Sequence, residues 1–200
     1  MASSTKQLKP KEVSKYRVLT DLPAEQLCFL KLNNMNRFKI VPISADYARS
    51  IRQTMKDNFG RKVVERIATG AGPCRVSLKP FKPGLDKRLL LTHSPFEIDN
   101  AFNQPGPVFI NAAEVEVYSD IYRFPPEIKA NKECFPLTLI GYNDQQQMVF
   151  TRLVGDSDVD NLIGDVFETQ PTVSYLHVRN AEACCFICKV ERIIEPQDNN

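Results

Sequence analysis

Tyr175-Leu176-His177-Val178-Arg179-Asn180-Ala181-Glu182-Ala183-Cys184-Cys185-Phe186-Ile187-Cys188 reads as a β-hairpin, with β-favouring residues on both sides of a turn formed by Ala181-Glu182 or by Asn180-Ala181-Glu182. It pairs 172–179 with 184–193, and it carries one of only two histidines and three of the six cysteines. A second hairpin is expected of 136–142 with 147–154, through Asn143-Asp144-Gln145-Gln146. Strands joined by turns this short pair antiparallel. Further strands are expected over 16–20, 37–42, 62–68, 74–79, 87–92, 107–111 and 114–118, separated by Pro, Gly and Asn/Asp turns.

Two segments carry helical periodicity. Over 45–59, Tyr47, Ala48, Ile51, Met55 and Phe59 recur at three- and four-residue spacing, with Ser44 placed to cap and Gly60 to terminate. Over 159–168 the set is Val159, Leu162, Ile163, Val166 and Phe167, capped by Ser157 or Asp158 and followed by Pro171. A third, short helix is expected over 23–32. So few helices cannot supply the crossovers of a large parallel sheet. The expected class is α+β, a single domain with a largely antiparallel sheet and two or three packed amphipathic helices.

With 200 residues, 42% of them hydrophobic and 25% charged, the chain has the composition of one soluble globular domain. The domain is expected over 15–195, between a disordered basic tail of residues 1–14 and a disordered tail of 196–200. No apolar run is long enough for a membrane span, and 1–15 has no secretory apolar core. Residues 1–17 hold five basic side chains against Glu12, a net +4 out of the chain's +2, so the remainder is −2. A basic tail without base-reading or stacking groups argues against nucleic acid. Six cysteines in a chain of this kind read as reduced thiols, and the expected compartment is the cytoplasm.

The chemistry-bearing residues concentrate in the opening stretch. Cys185-Phe186-Ile187-Cys188 matches C-x-x-C, but on a strand positions 185 and 188 face opposite sides and cannot share a metal or a disulfide. For His177 the hairpin register decides. A two-residue turn sets it across from Phe186, whereas a three-residue loop sets it across from Cys185, where Arg179 nearby would favour a reactive thiol. Cys74 is expected to begin a strand after Gly70-Ala71-Gly72 and to be accessible, with Arg75 on the other face. Gly70-Ala71-Gly72 lacks the Gly-Lys-Ser/Thr ending of a phosphate loop. Asp156, Asp158 and Asp160 lack the glycine and distal glutamate of a calcium loop and read as helix N-terminal acids. No zinc-protease, serine-hydrolase or nucleotide-loop motif is present.

Taken in order, Pro73-Cys74-Arg75-Val76-Ser77-Leu78, Leu89-Leu90-Leu91, Phe102, Gly106-Pro107-Val108-Phe109-Ile110, Tyr142-Asn143-Asp144 and His177-Val178-Arg179-Asn180-Ala181 with Cys185 form a pattern. This pattern resembles the bacterial family called domain of unknown function 1203, over residues 61–193. The chain departs from it at Cys184-Cys185-Phe186, where the family has Gly-Cys-Tyr, and at Ala101-Phe102, where it has Pro-Tyr. A glycine at 184 would supply positive φ, so the hairpin loop here must form without it. The resemblance implies a bacterial cytoplasmic protein with a compact domain, and it implies no reaction.

Two histidines and no acid–base constellation favour a non-catalytic binding or interaction module, with a small molecule or a protein as partner. The alternative is a thiol-dependent enzyme, or a redox or metal site, built around Cys74, Cys185 and His177 with Arg75 and Arg179 as polarising partners. No cofactor, resident metal, membrane or nucleic-acid partner is expected.

Overall fold

The computed structural model describes residues 38–193. In chain order the elements are β1 (Phe38–Val41), α1 (Ala45–Thr54), β2 (Val64–Ile67), β3 (Lys87–His93), β4 (Gly106–Asn111), α2 (Pro126–Ala130), β5 (Leu137–Tyr142), β6 (Met148–Leu153), α3 (Val159–Thr169), β7 (Tyr175–Asn180) and β8 (Phe186–Arg192). All strand pairs are antiparallel, and the class is α+β. The strands divide into two sheets, a five-stranded one ordered β1-β8-β7-β5-β6 and a three-stranded one ordered β2-β3-β4. The expected helix over 23–32, the strand over 16–20 and both tails lie outside the described residues.

Each sheet has its own apolar core. Leu176 and Val178 of β7, Cys188 and Val190 of β8 and Leu139 of β5 face α2 and α3, which supply Ile128, Leu162, Ile163, Val166 and Phe167. Ala48 and Ile51 of α1 pack with Leu89, Leu91, Val108 and Ile110 of the smaller sheet. Phe186, the first residue of β8, belongs to this second core and so joins the two sheets. No helix among the described residues is long and apolar enough to cross a membrane.

Helix ends follow local chemistry. The Ser44 hydroxyl accepts from Tyr47 N at the start of α1, and Asp158 accepts from Asn161 N at the start of α3. Helix α1 stops five residues before Phe59, because Met55 adopts the left-handed conformation at φ 50. Gly60 terminates the turn that follows, at φ 73, rather than the helix itself. Asp158 and Asp160 both ion-pair with Lys129 at 2.6 Å, so these acids fasten α2 to the N-terminus of α3.

Two expected strands do not form. Residues 114–118 are irregular. Residues 74–79 make a tight turn, with Leu78 N donating to Cys74 O at 2.8 Å and Leu78 held at φ 53. The cause is visible in burial: Pro73, Cys74, Arg75 and Val76 are buried consecutively, which a pleated strand with one wet face does not allow.

On β5, Gly141 marks a close approach. A Cβ there would lie 2.9 Å from both Phe150 Cβ and Val173 Cγ2, and the β5–β6 pairing shifts register between Gly141 and Tyr142.

Candidate functional site

Strand β7 is buried on both faces, and the two faces differ in kind. Leu176 and Val178 face the helix-covered apolar core, while Tyr175, His177 and Arg179 point the other way, towards the smaller sheet. The pairing of β7 with β8 shifts between Val178 and Arg179, where β8 holds one extra residue, Ile187, a bulge that turns Phe186 to the face of Arg179. Arg179 is 6% exposed. Its Nη1 donates to Cys184 O at 3.0 Å, while Nε and Nη2 are buried without a hydrogen-bond partner.

The turn at 74–78 delivers a second guanidinium to the same place. The Arg75 backbone is gripped on both sides, its N–H donating to Phe109 O and its carbonyl accepting from Ile43 N. The side chain is 1% exposed. It donates to Pro73 O, to Phe186 O at 2.6 Å and to Cys185 Sγ at 3.1 Å. Burial lowers its pKa below the ordinary arginine value, partly offset by Cys185 and Cys74. Arg75 and Arg179 thus grip consecutive residues, 184 to 186, from two directions. Neither forms an ion pair with a carboxylate among the described residues.

The hairpin loop differs from both expected registers: His177 opposes Lys189, not Phe186 or Cys185. The cause is a longer loop ordered by Asn180, together with the extra residue in β8 at the bulge. The Asn180 side-chain oxygen accepts from Glu182 N at 3.0 Å and from Ala183 N, and its N–H donates to Cys185 O at 3.0 Å. Residues 181–184 therefore loop out, and Cys184 takes φ 56 where a glycine would sit without strain. Cys185 is left just before β8, half-buried, with its sulfur towards Arg75. Cys188 packs in the apolar core, where burial raises its thiol pKa. Cys74 is 2% exposed rather than accessible, and its sulfur accepts from Asn111 N at 3.3 Å. Among the described residues no hydrogen bond joins a cysteine to a histidine.

His177 is fully buried inside a ring of aromatic side chains. Ring centroids lie 4.7 Å away for Tyr142, 4.9 Å for Phe96, 5.2 Å for Tyr175 and 5.3 Å for Phe186. The second histidine, His93 at the end of β3, reaches the same spot, 5.4 Å from Phe186 and 5.7 Å from Tyr47. Burial drives the His177 pKa down to about 2, helped by the charges of Arg179 and Lys189. His93 is held at about 4, by burial and then by Arg75 and Arg179. Both imidazoles are neutral at neutral pH, each with one donor and one acceptor nitrogen. Neither nitrogen of His177 has a partner, nor has His93 Nδ1.

Arg75, His177, Arg179 and Cys185 were legible as candidates and come together, with Cys74 beneath them. Tyr47, His93, Phe96 and Tyr142 come from scattered elements and form no spaced motif. One signal could have found His93: it is the only histidine besides His177. Among the described residues no group of three or more His, Cys, Asp or Glu is placed to hold a metal ion.

A cavity of about 960 Å³ opens elsewhere, beside α2 and the N-terminus of α3. Apolar side chains such as Phe124 and Ile128 line it, and Lys129 on its wall is already neutralised by Asp158 and Asp160.

No curated protein and no solved structure matches the chain. Residues 71–192 match the family described as Protein of unknown function (DUF1203), a span that holds Arg75, His93, His177, Arg179 and Cys185. That span is more than half of the sequence, and the chain belongs to this family.

Proposed function

We propose that the chain is a non-catalytic binding module for a small oxyanion, a carboxylate or phosphate group. The anion sits between Arg179 and the two neutral histidines. The observation that carries this reading is the unpartnered edge of Arg179. Nε and Nη2 are the side-on edge of the guanidinium, the pair of donors that meets two oxygens of a carboxylate or phosphate in parallel. A buried cation without a counter-charge is costly, and here two buried guanidiniums hold adjacent residues of one hairpin. A bound anion would balance them, and a neutral imidazole adds a donor without adding charge.

The test is thermal unfolding with inorganic phosphate and, separately, acetate, on the wild type and on Arg179→Gln. A ligand that binds only the folded state raises Tm with concentration. Phosphate or acetate should raise the wild-type Tm, the stronger of the two naming the group, and Arg179→Gln should lose the shift. If neither anion moves the wild-type Tm, the anion reading is wrong.

The Arg75 Nη2 contact with Cys185 Sγ favours a second reading, in which the thiolate is the missing counter-charge and Cys185 is a reactive thiol. Alkylation read by mass spectrometry separates the two. A thiol site predicts that Cys185 reacts at about pH 6, whereas sluggish reaction until denaturation ends this reading.

A further inference from the structure

The site just described is roofed by a single loop. Residues 94–105 connect β3 to β4 and cross to the five-stranded sheet, where the Phe96 ring stands edge-on to both His177 and Tyr142 at 4.9 and 5.0 Å. Not one residue of the loop is itself buried, yet His177 beneath it is wholly inaccessible. Among the described residues the cover is one layer thick.

The loop is bonded internally far better than it is bonded to what it covers. Ser94 Oγ pairs with Asn103 Oδ1 at 2.5 Å, Phe102 N donates to Asn100 Oδ1 at 2.8 Å, and Asn103 N donates to Asn100 O at 3.0 Å. Across the gap, the hydrogen bonds to described residues converge on Gln146 in the β5–β6 turn. Glu97 N and Ile98 N donate to its Oε1 at 3.3 and 3.5 Å, and Asn100 Nδ2 donates to its carbonyl at 3.3 Å. These are long bonds and correspondingly weak. Gln146 is itself fixed, at φ 58, by donating to Asn143 O at 2.9 Å. Under the loop a space of about 150 Å³ is already open, walled by Tyr175, Lys189, Gln146, Pro95, Glu97 and Asp144. Tyr175 touches His177, and Lys189 is the residue directly across the ladder from it.

A unit braced within itself, tied to its seat through one residue and lying over unpartnered polar atoms, is built to move as a body. We infer that the 94–105 loop is a lid over the His177–Arg179 site, latched by Gln146 and closed by Phe96. The inference deepens the anion-binding reading and rests on it for what passes the lid. The route leads through the space beside Tyr175 and Lys189.

The experiment reads access to the site separately from binding. In Gln146→Ala the side-chain acceptor is lost, while the Asn143–Gln146 turn remains. Amide hydrogen exchange across 96–103 should accelerate at least several-fold, with β7 and β8 unchanged. Carbethoxylation of His177 by diethyl pyrocarbonate, followed by mass spectrometry, should accelerate by a similar factor. Phe96→Ala should speed His177 modification even where Gln146 is intact. A loop that exchanges faster while His177 stays as unreactive as in the wild type overturns the lid, and so does unchanged exchange in both variants. Inorganic phosphate is then titrated into each protein. If His177 modification accelerates but phosphate binds none of the proteins, the lid stands and the anion reading falls.

Discussion

The two faces of β7 are made from alternating residues of one six-residue strand, yet they solve opposite problems. Leu176 and Val178 are fully buried among aliphatic and aromatic side chains of α2, α3 and β5, with no polar atom to satisfy. Tyr175, His177 and Arg179 are placed, on the other face, among rings, guanidiniums and thiols, and four nitrogen atoms of His177 and Arg179 lack partners. Burying polar groups without partners destabilises a fold, typically by about 1 to 3 kcal/mol for each group. The first face holds the protein together; the second draws on that stability to keep an unsatisfied set of donors in place.

The largest effect should come from pH, through the two buried histidines on the polar side of β7. Folded His177 and His93 have pKa values of about 2 and about 4, against an ordinary 6.5. The unfolded chain therefore takes up protons that the folded chain refuses. Their stabilising contribution is full above about pH 6.5 and is lost as pH falls, by about 1.4 kcal/mol per unit for each histidine. From about pH 7 to about pH 5 the two should remove about 4 kcal/mol together. Urea midpoints at both pH values check this, with His177→Phe showing about half the loss. An equal pH dependence in the variant would mean that His177 is protonated in the fold.

On the apolar face, Leu176→Ala should destabilise by about 3 kcal/mol, through lost contacts and the cavity left behind. A loss under about 1 kcal/mol in chemical denaturation would show that this face is loosely packed. Next in size is the reverse effect across the strand. His177→Phe replaces two unpartnered nitrogens with an apolar ring and should stabilise by about 1 to 2 kcal/mol while abolishing anion binding. A destabilised variant would mean that the imidazole is satisfied in solution, and the contrast between the faces would weaken.

The fold was more legible than the site. Hairpins and amphipathic helices announce themselves in local spacing, so β5–β6, β7–β8, α1 and α3 could be placed from the chain alone. The division into two sheets could not, because it depends on where distant segments pack. The same holds for the turn at 74–78. Cys74, Val76 and Leu78 alternate as a strand would, and only the burial of Arg75, dictated by Phe186 and Cys185 far along the chain, breaks the pattern. His177 is conspicuous in the chain as one of two histidines, but its surroundings are not. A loop lengthened by the Asn180 side-chain oxygen, and one extra residue in β8, moved every partner across the ladder.

The smallest expected effect concerns that loop. Cys184→Gly should relieve the left-handed strain and stabilise by up to about 1 kcal/mol, since glycine adopts φ 56 freely. The gain is checked by thermal unfolding beside His177→Phe. A loss of stability would show that the Cys184 side chain does more for the hairpin than its backbone costs.

Strand β1 pairs with β8, Phe38 against Arg192, so the first and last described strands are neighbours in one sheet. During synthesis, a ribosome must release nearly the whole domain before that ladder can close. Arg75 likewise waits for Cys185 and Phe186. Until then β1 has no β8 to pair with and two cationic side chains have no enclosure, an arrangement that favours slow, all-or-none completion after the chain has emerged.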